Sequence, residues 1–341
     1  MIDETRGRAA DTVVRVIEVG GSHATAASVL LRDAKGAGAD VEADAGAGEV
    51  TDAETVALDP SAPAEALLDA IAEPASRVAA RARAEGSARA GAWVVAMPGP
   101  FDYATGVGRF DAVGKFDALR DVSVRDGLAL RLGIEADGIR FVNDAAAYGI
   151  GEWAYGSATR ADRQVCITLG TGVGSSFLDH GRVVDEGPEV PPRGWAYLLE
   201  FDGLPLEDTV STRAITRAFT RRTGRVSTVK EIAAAATAGD IDAAAVLDHA
   251  MAALGETLSP WLKSFSATRL TIGGSMVRSW PVLVDALTAG IDRGSGGSRP
   301  AALDVVPSTL LADAPVLGAA HWLLSHEPSP DSPDSPRSEN R

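Results

Sequence analysis

The sequence predicts an α/β protein built as two lobes, and three observations carry that prediction. Apolar segments of strand length alternate with stretches of helical periodicity along most of the chain. The length, 341 residues, exceeds the roughly 250–300 residues at which a single hydrophobic core stops growing. Two glycine-ended strands also recur 150 positions apart: Ile17, Gly20 and Gly21-Ser22 in "VIEVGGS", then Ile167, Gly170 and Thr171-Gly172 in "ITLGTG". Each joins a strand to what reads as a second strand, so the echo implies a similar hairpin in each lobe.

The strands are expected at 13–19, 25–31, 92–97, 139–142, 164–169, 175–178 and 269–272, from runs rich in Val, Ile, Leu and Thr bounded by turn residues. Helices are expected at 63–84, 123–132, 145–153, 212–221 and 241–265. In the last, Leu247, Met251, Leu254, Leu258, Leu262 and Phe265 recur at spacings of three and four, one face of a helix. Residues 1–11 and the Pro/Ser-rich tail 327–341 are polar and aperiodic, which predicts disorder. The Gly/Ala/acid-rich stretch 32–54 reads as a long hairpin or surface insertion.

Composition narrows the function. No run approaches the ~18 apolar residues a membrane span needs, and the charged N-terminus has no apolar signal core, so the expected location is the cytoplasm. A net charge of −15 repels phosphate backbones and anionic membranes at long range, and neither is an expected partner. The lone cysteine, Cys166, excludes internal disulfides and a multi-cysteine zinc site, and is expected to serve packing.

Three glycine steps draw attention. Gly170, Gly172 and Gly174 follow a strand, as in a dinucleotide-binding turn, but that motif needs a helix next. Here β-prone "SSFLDHGRVV" follows, so the segment is a hairpin. A hairpin of this kind has two readings, a plain turn or a phosphate cradle in which backbone N–H groups approach the anion and a Ser or Thr hydroxyl adds a donor. The third step, Gly273-Gly274-Ser275, links a strand to a helix near Pro281.

Asn143-Asp144 falls where a strand gives way to an Ala-rich helix. One reading makes Asp144 the helix N-cap. Another makes it a carboxylate at a strand's C-terminal end that accepts a proton from a substrate hydroxyl.

From these residues the chain resembles the ROK family (repressors, open reading frames, kinases) over residues 12–326. The motifs "IEVGGS", "VVAMPGP", "FVNDAAAYGIGE", "ITLGTGVGSSF", "PLEDTVS", "LTIGGSMVRS" and "LGAAHWLL" occur in the family's order. The resemblance implies the two-lobed actin-like ATPase fold, of the ribonuclease H-like sugar kinases, with a cleft between lobes formed by 12–144 plus 314–326 and by 145–313. It implies ATP- and Mg²⁺-dependent phosphorylation of a hexose, as in glucokinases, and a homodimer. By the same resemblance Asp144 is the general base, and Gly99, Asn143 and Glu207 contact the sugar. Gly20, Gly21, Ser22, Gly170, Thr171 and Gly172 hold phosphates, Gly273 and Gly274 lie by the adenosine, and Glu18 faces Mg²⁺.

Two departures from the family pattern stand out. The Glu-x-Gly-His element and the cysteine-rich zinc loop are absent from "VVDEGPEVPPRGWAYLLEFDGLPLEDTVS", so no zinc is expected. Trp195 and Tyr197 in that stretch read either as core or as a platform for a sugar face. The second departure is Glu18, which stands where the family carries Asp and keeps the charge with one more methylene. These departures keep two alternatives open, a non-catalytic sugar or nucleotide sensor and a kinase that uses polyphosphate as donor. A DNA-binding repressor is disfavoured, because the resemblance puts a helix-turn-helix before the first glycine loop in family repressors and only about a dozen residues precede the first strand here.

Overall fold

A computed structural model describes residues 11–32, 47–84, 92–111, 114–297 and 302–326. The disorder expected at both ends and most of the expected insertion lie outside the described residues. The chain begins with an antiparallel pair, β1 (Thr12–Val19) and β2 (His23–Leu31), and then β3 (Gly48–Ala57) and α1 (Ala64–Ala84). Next come β4 (Trp93–Met97), the small hairpin β5 (Phe101–Asp102) and β6 (Val107–Gly108), α2 (Val124–Leu132), β7 (Ile139–Asn143) and α3 (Asp144–Tyr155).

The later part opens with β8 (Arg163–Leu169), β9 (Val173–Asp179) and β10 (Arg182–Val183), then the two-stranded ribbon β11 (Glu200–Phe201) and β12 (Leu204–Pro205). It continues with α4 (Glu207–Val210), α5 (Thr212–Thr223), α6 (Val229–Thr237), α7 (Ile241–Ser264), β13 (Arg269–Gly273), α8 (Val284–Gly294), β14 (Asp304–Pro307) and α9 (Ala314–His326).

The expected hairpin echo corresponds to a repeated topology. One sheet runs β3-β2-β1-β4-β7 and the other β10-β9-β8-β13-β14. In each, the first three strands in sequence pair antiparallel and the last two add parallel. The two glycine turns therefore occupy equivalent places, between β1 and β2 and between β8 and β9.

Each sheet buries apolar side chains against helices. On one face of the first sheet Ile17, Val95 and Met97 meet Leu67, Leu68 and Ile71 of α1 and Leu128 of α2. On the other, Val14, Val16 and Val94 meet Val316, Ala319 and Leu323 of α9. The second sheet packs Val165, Ile167 and Leu270 with the predicted apolar stripe of α7. Cys166 is fully buried within β8, consistent with packing.

Of the two readings for 32–54, a hairpin or an insertion, β3 agrees with the hairpin: it pairs antiparallel with β2 and is a strand the sequence reading did not include. Its acids alternate inward, where Asp52 and Glu54 pair with Arg81 of α1 at 3.0 and 3.1 Å. Charge pairing takes the place of apolar alternation, so the strand signal is muted. No helix among the described residues is long and apolar enough to cross a membrane.

Candidate active site

The parallel strands β4 and β7 end side by side, Met97 paired with Asn143. Past β4 the chain turns through Gly99-Pro100, a cis peptide, into the β5–β6 hairpin. Past β7 it enters α3, and here the structure separates two roles. Asn143, not Asp144, is the N-cap: its Oδ1 accepts from the Ala146 N–H at 3.0 Å. Asp144 is the first helical residue, with Oδ1 accepting from its neighbour Ala145 N–H at 2.8 Å and from Asn143 Nδ2 at 3.2 Å. The Asn143 amide also donates to Tyr103 Oη at 2.8 Å, and that hydroxyl donates to the Met97 carbonyl at 3.1 Å. Strand end, helix start and hairpin are thereby tied together around Asp144.

Burial pushes the Asp144 carboxyl up, opposed chiefly by the Lys115 cation and then by the helix-start N–H groups and the Asn143 amide. Glu18, at the end of β1, lies close enough to add a like charge to this group: burial first, and Asp144 second, push its carboxyl up to about 8. A carboxylate enclosed beside another carboxylate favours a cation between or beside them.

The two glycine turns face one another. A Cβ placed on Gly21 would lie 3.7 Å from Thr171 Oγ1. The Gly20 N–H closes the first turn onto the His23 carbonyl at 2.9 Å, and Ser22 Oγ sits 2.8 Å from His23 Nδ1. In the second turn Gly170 N–H bonds the Gly172 carbonyl at 3.0 Å, and the Gly170 carbonyl accepts from Thr212 N–H at the start of α5.

Gly273 and Gly274 lie at the end of β13, over Tyr148 of α3. The Gly274 N–H reaches Tyr148 Oη at 3.3 Å, and Gly274 adopts φ +83, a conformation glycine takes without strain. Tyr148 is held in turn by Ser308 Oγ at 2.8 Å, and Ser308 donates to Glu152 Oε1 at 2.6 Å.

Glu207 stands against the second glycine turn. Its Oε2 accepts from Val173 N–H at 3.1 Å and its Oε1 from Arg213 at 3.2 Å, so both oxygens are engaged at the second glycine turn. These bonds make it a buttress of that turn; the sugar contact is the role the resemblance implies for it. Gly99 lies against Tyr103 and Trp195: a Cβ there would lie 3.4 Å from Tyr103 Oη and 3.5 Å from Trp195 Cζ2. Trp195 stacks on Tyr197 with ring centroids 5.5 Å apart, and neither is fully buried. Tyr197 packs against the core of the later sheet, as the core reading has it, and Trp195 is covered by Tyr197 and by the Arg193 guanidinium at 5.0 Å.

Sequence reasoning missed Tyr103, Lys115 and Arg193. Lys115 had one signal, being one of four lysines among 32 basic residues and sitting in a glycine-flanked loop. Tyr103 and Arg193 reach the site only through folding.

A model of the ROK family matches residues 201–326. A glucokinase of Thermotoga maritima is 27% identical over 249 residues, 66% of this chain and 77% of that protein. Among solved structures, a ROK hexokinase from Thermus thermophilus superposes with a TM-score of 0.67 at 23% identity, covering 92% of this chain and 99% of its own. A ROK-family glucokinase from Streptomyces griseus, in complex with glucose and AMPPNP, gives 0.69 at 22% identity, covering 91% and 99%. The two superpositions establish the two-lobed actin-like fold. With the family match over residues 201–326 and the ordered motifs through both sheets, they make the chain similar to ROK-family sugar kinases in fold and in the later part of its sequence.

Proposed function

We propose that the protein is a carbohydrate kinase that phosphorylates a hexose-type acceptor from ATP, with Asp144 as the general base. The observation that carries this reading is the convergence of a tethered, partly enclosed carboxylate with two opposed glycine turns. The similar glucokinase, hexokinase and AMPPNP-bound structures support it.

The residues fit a nucleotide and its magnesium. Backbone N–H groups of Gly20, Gly21, Ser22, Gly170, Thr171 and Gly172 suit phosphate oxygens, and Gly273-Gly274 suit the adenosine. Glu18 receives no hydrogen bond from the described residues in this structure and lies beside the first turn, as suits a hard cation. No cluster of three or more His, Cys, Asp or Glu forms a metal site among the described residues. Mg²⁺ typically rests on one or two carboxylates plus phosphates and waters. When bound, the ion neutralises charge on the phosphates.

The protein's own contribution is positioning and a proton acceptor. Asn143 and Tyr103 fix the Asp144 carboxylate where β4 and β7 end, and Gly99 leaves room for the acceptor. Asp144 accepts the proton of the attacking hydroxyl; the new bond joins that oxygen to the γ-phosphorus, the bond to the β-phosphate oxygen breaks, and ADP leaves. Closure of the lobes excludes water as a competing acceptor.

A screen for acceptor-dependent ADP release, with an Asp144→Asn control, tests the reading. Release that needs both acceptor and Asp144 supports it. Binding of sugar or nucleotide without turnover points instead to a sensor.

A further inference from the structure

The glycine step Gly273-Gly274 is held from one side by a single side chain. A Cβ on Gly273 would fall 2.4 Å from the Tyr148 ring, and the Gly274 N–H donates to Tyr148 Oη at 3.3 Å. Counting hydrogens fixes the sense of every bond behind this contact. Ser308 Oγ has a single hydrogen and gives it to Glu152 Oε1 at 2.6 Å, so in the 2.8 Å contact between the two hydroxyls Tyr148 is the donor. Burial pushes the Tyr148 phenol up to about 12, which keeps that proton in place at neutral pH. Ser308 Oγ also accepts from Leu311 N–H at 3.1 Å. The chain therefore runs one way, from Gly274 N–H through Tyr148 and Ser308 to Glu152, and ends on a fully buried carboxyl group. Bonds in such a series polarise one another.

The members of this chain tie separate elements to the step. Tyr148 and Glu152 belong to α3, and Ser308 follows β14, where its N–H bonds the Ile272 carbonyl of β13 at 2.8 Å. Gly274 opens the short helical segment Ser275–Val282, so the orientation of its peptide sets where that segment leaves the sheet. Tyr148 follows Asp144 by one helical turn, on the same side of α3. One helix thus carries the candidate base at its start and the support of the glycine step a turn later. The ring alone fills the space beside Gly273; the hydroxyl adds control of the Gly274 peptide.

We propose that Tyr148 is a positioning residue for the nucleoside end of the phosphoryl donor: by fixing the Gly273-Gly274 peptide it shapes the surface that receives the adenosine, and so favours a nucleotide over bare polyphosphate. This rests on the kinase reading and assigns a residue to the choice of donor. Tyr148 acts through Gly274 and takes no part in the transfer itself.

The test compares ATP and tripolyphosphate as donors, with glucose or mannose as acceptor, in the full chain and in Tyr148→Phe and Ser308→Ala. Calorimetric binding of ADP and tripolyphosphate and hydrogen exchange at the Gly274 amide accompany the kinetics. Tyr148→Phe keeps the ring and removes the hydroxyl. It is expected to raise KM for ATP about tenfold, the worth of one hydrogen bond, while kcat, KM for the acceptor and use of tripolyphosphate stay within about twofold and the Gly274 amide exchanges about tenfold faster. Ser308→Ala shifts KM for ATP in the same direction by less, since the Gly274 contact survives it. Where tripolyphosphate is neither bound nor used, KM for the acceptor is the reference. An unchanged KM for ATP or unchanged exchange at Gly274 overturns the proposal and leaves the kinase reading standing. So does an equal loss with ATP, tripolyphosphate and acceptor, which would make Tyr148 a support of the fold alone. If the wild type shows no turnover, the kinase reading fails and binding decides: weaker ADP binding in Tyr148→Phe with tripolyphosphate unaffected supports the proposal, and equal ADP binding, or none in the wild type, overturns it.

Discussion

Asp144 combines a helix-start position, partial enclosure and two hydrogen-bonding neighbours, Asn143 and Ala145, and a general base needs this much control. General acid–base catalysis contributes about 10²–10⁴-fold, so Asp144→Asn lowers turnover by that order. The change keeps the Ala145 contact, because an amide oxygen accepts as a carboxylate does, and the melting temperature stays near wild type. Glu18 makes a separate prediction. Its carboxyl, ordinarily near 4.5, stands at about 8 in the folded chain. Between those values the folded protein holds a proton that the unfolded chain has released. The stability this confers is complete below the ordinary value and is lost as pH rises toward 8. The ligand-free protein therefore melts at progressively lower temperature from pH 5 to pH 8, and Glu18→Gln flattens the trend. Parallel pH profiles for the two proteins would contradict the account.

At the scale of elements, the glycine turns and strand–helix junctions were legible because local chemistry writes them: apolar run, glycine, hydroxyl. Other elements were not read, for identifiable reasons. β3 hides its alternation behind paired acids. α6 carried its signature openly, since Thr228 and Glu231 form a reciprocal capping box, but a nine-residue alanine-rich helix has little periodicity to draw notice. The contacts of Glu207 were not legible, because an acid at the start of a four-residue helix says nothing of what lies opposite; only folding brings Val173 and Arg213 to it. Glu152, equally silent in sequence, is a buried hub. It accepts from Ser157 N–H at 2.9 Å, Ser157 Oγ at 2.8 Å, Ser308 Oγ at 2.6 Å and Leu310 N–H at 2.9 Å. Glu152→Ala leaves these donors without their acceptor and costs about 3 kcal/mol or more in denaturant unfolding; a loss below about 1 kcal/mol would show that water replaces the carboxylate readily.

For the whole molecule, the two sheets meet through α3 and α9, which pack on each other as well as on the strands. Their crossing is close because small residues face each other: a Cβ on Gly318 would collide with the Ala147 carbonyl, and one on Gly151 with that of Ala314. Gly318→Ala therefore strains the crossing and costs about 1–3 kcal/mol, the usual range for overpacking, read as a lower unfolding midpoint. An unchanged midpoint would mean that the helices separate without penalty.

The central claim is that the cleft between these sheets moves a phosphoryl group from ATP to a sugar-type hydroxyl through Asp144. Its most direct measurement follows ADP and phosphorylated acceptor together, from ATP with Mg²⁺, in the wild-type protein and in Asp144→Asn. The account predicts one ADP per phosphorylated acceptor in the wild type and a loss of about 10²-fold or more in the variant. Equal rates in the two proteins, or ADP formed without a phosphorylated acceptor, would contradict it.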